Sequence, residues 1–322
     1  MKINRKRHKE IGVHDMDAKN CRLPGRPLGE GEKVLMVLTS AKELSINAHD
    51  ERDGIPEYSP FFASRYCRPE KLKGKHPTGA WAEEFLTPYL ALKKAGYKVD
   101  IVTVGGKPVT FDKLSCDPKF LKEAMKWKKE DIEKFLKDFK DIRRRVKELD
   151  SPLKLEDMTW IKLAKYEGVF IPGGHGVMED LANSKKMGKL LIKAHKNHIP
   201  TAAVCHGPSA LRTAMEKNGK WVYAGYRITG FTNEEEDTET KLQNPNDPNS
   251  SILGGEPLFR QETVLVDLGS LFVKAKPWSS HVEKDRELIT GQNPQSTKAI
   301  TDVFLDELKG RLEAKNLGLY IP

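Results

Sequence analysis

The sequence predicts an α/β sandwich with a mainly parallel central sheet, and three observations lead there. Short apolar runs rich in β-branched residues recur at 33–39 (KVLMVLT), 98–104 (KVDIVTV), 168–172 (GVFIP) and 201–204 (TAAV). They are too short for helices and apolar enough to be buried as strands. Stretches with apolar residues at helical spacing lie between them. Two of the runs lead straight into glycine-bearing turns, IPGGHG at 171–176 and VCHGP at 204–208, at the strand ends where open α/β sheets hold their ligands.

Taken in order, residues 1–32 read as an irregular N-terminal arm, and 33–39 as the first buried strand. Residues 40–79 carry Asp53-Gly54 and four prolines (56, 60, 69 and 77) and read as a long loop. Residues 82–95 place Phe85, Tyr89, Leu90 and Leu92 on a helix that stops at Gly96, with Pro88 kinking it or marking its first turns. Strand, helix and strand over 33–104 make a parallel unit. Residues 117–150 are charged but hold an apolar stripe from Phe120 to Val146, which predicts a helical insertion over about 113–160 packed on the body. Helix is expected at 185–198, loop at 237–256, helix at 258–268, a hairpin or strand at 284–291 and a last helix at 296–312. The domain proper thus spans 33–312, followed by a tail of 313–322.

Composition narrows the function. No stretch reaches the roughly 18 apolar residues that would span a bilayer, and the basic first ten residues lead into no apolar segment, so neither a membrane protein nor a secreted one is expected and cytoplasm is the default. The net charge of +9 is dispersed among acids, as in KWKKEDIEKFLKDFKDIRRRVKELD. Without a focused patch or a recognition motif this argues against nucleic-acid binding. The four cysteines, at 21, 67, 116 and 205, have neither metal-site nor disulfide-framework spacing.

The chemistry concentrates in four segments. In TAAVCHGPSA a small apolar strand stops at Cys205, and Gly207-Pro208 opens a helix. Such a turn pushes the nucleophile out at the strand's carboxyl end, and the helix start would lower the thiol pKa and offer N–H groups to an oxyanion. The bland alternative is a buried structural cysteine. Gly173-Gly174-His175 follows the neighbouring strand and can present backbone N–H groups to a ligand, or be no more than a tight turn. Glu83-Glu84 opens a helix, where the dipole alone explains acids, yet one of them can serve as a proton shuttle. In FTNEEED, from Phe231 to Asp237, most acids read as a solvated helix start, while one can orient His206 in the manner of a triad.

Together these segments resemble the ThiJ/PfpI superfamily, which has a flavodoxin-like three-layer fold related to class I glutamine amidotransferases. The closest likeness is to its branch of glutathione-independent glyoxalases (glyoxalase III) and heat-shock chaperones. The carrying residues are AVCHGP at 203–208, IPGGHG at 171–176, Glu84 with Leu86 and Pro88, GFTNEEE at 230–236 and DRELITGQNP at 285–294. The resemblance implies Cys205 as nucleophile, His206 as its partner and Glu84 as the buried carboxyl. It makes Glu236 the acid behind the histidine, with Glu235 and Asp237 as close competitors, and puts Gly173, Gly174 and His175 on the substrate and oxyanion side. It implies turnover of a small 2-oxoaldehyde without a cofactor, a homodimer, and action on misfolded or glycated proteins. Some relatives bind zinc through a His and a Glu whose positions here are Lys93 and Lys98; lysines are poor zinc ligands, so no metal is expected there. Two other readings compete: a holdase chaperone that does no chemistry, and an amidase or peptidase of the same fold using His281-Val282-Glu283.

Overall fold

The computed structural model describes residues 29, 31–47, 74–241, 243–244, 247–251, 253 and 255–319. Cys21, Cys67 and most of the predicted N-terminal arm lie outside them. Ten strands concern us: β1 (Lys33–Val37), β2 (Glu43–Asn47), β3 (Gly74–Pro77), β4 (Lys98–Thr103), β5 (Leu153–Lys154), β6 (Tyr166–Ile171), β7 (Thr201–Val204), β8 (Glu256–Pro257), β9 (Val282–Asp285) and β10 (Leu288–Gly291). The principal helices are α1 (Ala82–Lys94), α2 (Pro118–Glu123), α3 (Lys129–Arg145), α4 (Lys185–Lys196), α5 (Asn233–Lys241), α6 (Gln261–Asp267) and α7 (Thr297–Asn316).

Seven strands form the central sheet in the order β9-β10-β7-β6-β1-β4-β5. Every pairing is parallel except the β9–β10 hairpin at one edge. The two-residue period of a strand divides its side chains between the faces. Val34, Met36 and Leu38 pack on one side with Phe85 and Leu92 of α1 and Phe304 and Leu308 of α7. Leu35 and Val37 join the opposite core with Leu190, Leu191 and Ala194 of α4. Helices on both faces of a mostly parallel sheet are the three layers that the short buried runs predicted.

Three stretches differ from expectation. Residues 40–79 are not all loop: β2 pairs antiparallel with β3 and with β8 in a small side sheet, while 48–73 lie outside the described residues. The charged stretch 117–150 is two helices rather than one, broken where Lys126 takes a left-handed φ of 58°. Asp117 caps the first by accepting from the Lys119 and Phe120 N–H groups at 2.7 and 3.0 Å. The predicted loop 237–256 begins as helix, because α5 runs on to Lys241 and Arg260 pairs with Asp237 at 2.6 Å. The insertion does pack on the body. Phe111 meets Phe139 edge-on at 4.9 Å and Phe85 of α1 at 5.4 Å. Pro88 sits inside α1 without ending it; lacking an N–H, it cannot bond the carbonyl of residue 84, so the helix loses one rung beside that residue.

Candidate active site

The parallel topology brings the carboxyl ends of β6 and β7 side by side, so the two glycine-bearing turns meet. Cys205 directly follows β7 and takes φ 58°, a left-handed conformation that is strained for any residue bearing a Cβ. Three segments hold it there. Its N–H donates to the Gly291 carbonyl at 2.9 Å, and its carbonyl accepts from Phe231 N at 3.0 Å and Gln261 Nε2 at 2.8 Å. The turn continues as a 3-10 helix over Gly207–Thr213 rather than as a full α-helix.

His206 lies beside the thiol, with Nδ1 3.5 Å from Cys205 Sγ. Its Nε2 is 3.0 Å from Glu236 Oε2, which fits the tautomer that donates from Nε2 and leaves Nδ1 to accept from the thiol. Glu236 therefore stands behind the histidine. Glu235, the near competitor, is spent elsewhere: it accepts from Thr232 N, Asn293 Nδ2 and Gln292 Nε2. Both carboxylates are buried, so the solvated-helix reading of FTNEEED does not hold for them. Asp237 pairs with Arg260.

A second imidazole completes the arrangement. His175 Nε2 is 2.8 Å from Glu236 Oε1 and 3.5 Å from Glu239 Oε2, and its ring lies 3.9 Å from that of His206. Burial works to lower the His175 pKa, but the Glu236 carboxylate, backed by Glu239 and Asp112, outweighs it and holds it at about 9. Burial and the neighbouring His175 charge push His206 down to about 4 against the pull of Glu236. Burial would raise Glu236, but the two histidines hold it well below the usual carboxylate range. Burial lifts Glu239 to about 8 against the pull of His175. At neutral pH the site thus holds a charged His175–Glu236 pair, a neutral His206 and a protonated Glu239. Glu239 was missed in the sequence, although it lies three residues after Glu236 and so on the same helical face.

Glu84 reaches the site from the first turn of α1 and is fully buried. Its Oε2 accepts from Gly173 N at 2.7 Å. Its Oε1 makes no hydrogen bond of standard geometry, though the Cys205 thiol comes near enough to favour the ionised carboxyl slightly. Burial dominates and raises Glu84 well above the carboxylate range, which favours its protonated form. The expected lowering of the thiol pKa is not found. Burial raises Cys205, charge on Glu84 or Glu239 would raise it further, and the Gly174 N–H opposes them. A neutral Glu84 takes away the larger of those two charges.

The glycines have separate parts. The Gly173 N–H is committed to Glu84, so it holds the carboxyl rather than an oxyanion, and the Gly174 and His206 N–H groups remain for that purpose. A Cβ at residue 173 would lie 2.5 Å from Val204 O, 2.7 Å from His206 N and 2.8 Å from Glu84 Oε2. At Gly174, where φ is +92°, it would lie 2.3 Å from Gly79 O. The pocket above the thiol is lined by Gly174, His175, Cys205, His206 and Glu239, and by apolar walls of Trp81, Phe120, Met125, Phe231, Trp278 and Pro294. Phe120 and Met125 come from the insertion.

His175, His206 and Glu236 bring ligand atoms within 4.8 Å of one another, a donor set that suits a divalent transition metal. Their own hydrogen bonds already satisfy one another, so nothing in the arrangement calls for an ion. Lys93 and Lys98 are exposed. His281 is 3.1 Å from Glu283 and does not line the pocket.

Comparison with known proteins follows the same lines. The family model described as DJ-1/PfpI family matches residues 78–307. A Bos taurus protein named glutamine amidotransferase-like class 1 domain-containing protein 1 is 31% identical over 224 residues, 68% of this chain and 84% of that protein. The glutathione-independent glyoxalase HSP31 of Saccharomyces cerevisiae is 28% identical over 234 residues, 72% and 90% of the two chains. The crystal structure of glyoxalase III from Candida albicans superposes with a TM-score of 0.55 at 23% identity, covering 86% of this chain and 97% of that one, a likeness of fold.

Proposed function

Because the chain belongs to the DJ-1/PfpI family, we propose that it is a cofactor-independent glyoxalase that converts methylglyoxal or glyoxal into the 2-hydroxy acid through a covalent adduct on Cys205. The observation that carries this reading is the strained thiol between His206 Nδ1 at 3.5 Å and a buried, half-satisfied Glu84 whose acid form burial favours. The names of relatives such as the yeast glyoxalase support it.

The steps balance without an external oxidant. The thiol yields its proton toward His206 Nδ1, and Glu84 Oε1–H is placed to donate to the thiolate. Sulfur attacks the aldehyde carbon, a C–S bond forms, and the carbonyl electron pair moves to oxygen, held by the Gly174 and His206 N–H groups. A proton then leaves the former aldehyde carbon and returns to the adjacent carbon, with His206 or Glu84 as carrier. The hemithioacetal thereby isomerises through an enediol to the thioester of a 2-hydroxy acid. Water cleaves the thioester, releasing the acid and the thiol. Glu236 keeps His206 in the required tautomer, and His175 keeps Glu236 anionic.

The decisive assay follows 2-hydroxy acid formation from methylglyoxal without glutathione, with Cys205→Ser beside the wild type. Loss of at least about a thousandfold is expected on removal of the nucleophile; comparable turnover by the two proteins would sink the scheme. A holdase would suppress aggregation equally well without the thiol. The amidase reading would show as ammonia release from glutamine, but the His281–Glu283 pair lies off the pocket.

A further inference from the structure

The mechanism accounts for one oxygen of a 2-oxoaldehyde and leaves the other without a partner. One residue that lines the pocket carries an unused donor. Trp81 is 9% exposed, its Nε1 is buried with no hydrogen-bond partner among the described residues, and the residue lines the pocket. A buried N–H left unpaired is costly, so a native structure that keeps one has a reason for it. The indole is tied to the reacting groups from both sides. Its backbone N–H donates to Gly173 O at 3.1 Å, and Glu84, one turn along α1, accepts from Gly173 N at 2.7 Å. Its ring is braced edge-on against Phe120 of the insertion at 6.0 Å between centroids. The apolar walls, Phe120, Met125, Phe231, Trp278 and Pro294, offer no acceptor stronger than the Met125 thioether.

We infer that the Trp81 indole N–H donates to the second oxygen of the substrate, the one on the carbon adjacent to the aldehyde, in the bound 2-oxoaldehyde and in the enediol derived from it. This rests on the glyoxalase reading of Cys205. It gives the site a means of preferring two adjacent oxygens over a simple aldehyde, since a site built to bond a substrate oxygen discriminates against a molecule lacking it. Trp81 is a specificity-determining donor, and the insertion's contribution is to hold its ring in place.

Two measurements test this. Trp81→Phe keeps the aromatic wall and removes the donor; kcat/KM for methylglyoxal should fall by about 10- to 100-fold, the size of one lost hydrogen bond to a buried group, while alkylation of Cys205 by iodoacetamide keeps its rate. In Cys205→Ser protein with 15N-labelled tryptophan, the Trp81 indole resonance, identified by its contacts with the Phe120 ring, should move downfield on addition of lactate. An unchanged kcat/KM in Trp81→Phe, or a Trp81 resonance that lactate does not move, overturns the inference. A wild type that forms no lactate from methylglyoxal overturns the glyoxalase reading instead, and the resonance still decides on the donor.

Discussion

The two ends of β7 carry the same kinds of side chain and use them differently. At the amino end, His195 Nδ1 and the Tyr226 hydroxyl converge on Glu287 at 2.8 and 3.2 Å, and the Arg286 guanidinium lies 3.4 Å from the Tyr226 ring centre. The Glu287 carbonyl accepts from Thr201 N at 2.8 Å, so this cluster anchors the start of the strand. At the carboxyl end, four residues away, two histidines converge on Glu236 in much the same manner. There the backbone is strained at Cys205, one oxygen of Glu84 and the nitrogen of Trp81 lack partners, and a pocket opens onto the group. Crowded titratable groups are therefore a poor marker of chemistry by themselves. Strain and unspent hydrogen-bonding capacity also occur at the amino end, at Arg286 with φ 56° and at the Tyr223 hydroxyl, so they mark chemistry only beside an opening such as the pocket over Cys205.

Substitutions can break this contrast. The largest effect is expected at the nucleophile, as described for Cys205→Ser. Next comes Glu236→Gln, which keeps the shape but removes the charge shared by the two histidines. Its kcat/KM should fall by about 100- to 10,000-fold, and breaking the buried pair with His175 should lower Tm by several degrees as well; a drop in kcat/KM below tenfold would make Glu236 structural, like its counterpart at the other end. Glu287→Ala should do the reverse. It leaves His195 and Tyr226 with only each other, at 3.1 Å, and should cost about 1–3 kcal/mol, a shift of a few degrees in Tm, with turnover by the folded protein unchanged. The smallest effect concerns pH. Glu239 is raised from 4.5 to about 8 in the folded state, so its contribution to stability is full below 4.5 and is lost as pH rises through 8. His206, lowered from 6.5 to about 4, has the opposite slope, losing stability as pH falls from 6.5 through 4. Glu239→Gln should therefore lose less Tm than the wild type between about pH 6 and about pH 8.5, by a few degrees; parallel curves would mean that Glu239 titrates as an ordinary carboxyl.

The sequence showed the frame of the molecule more clearly than its details. The sheet was legible because parallel strands are buried on both sides and leave short, continuous apolar runs. The elbow and the glycine pair were legible because each follows such a run directly. Glu84 and Glu236 were chosen from the family resemblance, since burial of an acid cannot be read from an acidic string. Glu239 was lost for that reason, although its spacing from Glu236 was visible. The break at Lys126 carried no signal, because Ala124-Met125-Lys126-Trp127 contains neither glycine nor proline. Trp81, just ahead of a helix, carried no signal in the sequence; only three-dimensional packing shows that its nitrogen has no partner among the described residues.

The three hydrogen bonds that fix Cys205, from Phe231 and Gln261 and to Gly291, come from chain that is translated after it. At about 5–20 residues per second, the ribosome takes some seconds to go from the cysteine codon to the glycine codon. Until then the thiol belongs to an unfinished sheet and is an ordinary cysteine, without its histidine in register or its carboxyl overhead. A protein proposed to consume reactive dicarbonyls thus assembles its nucleophile only when the last strand of its sheet is in place.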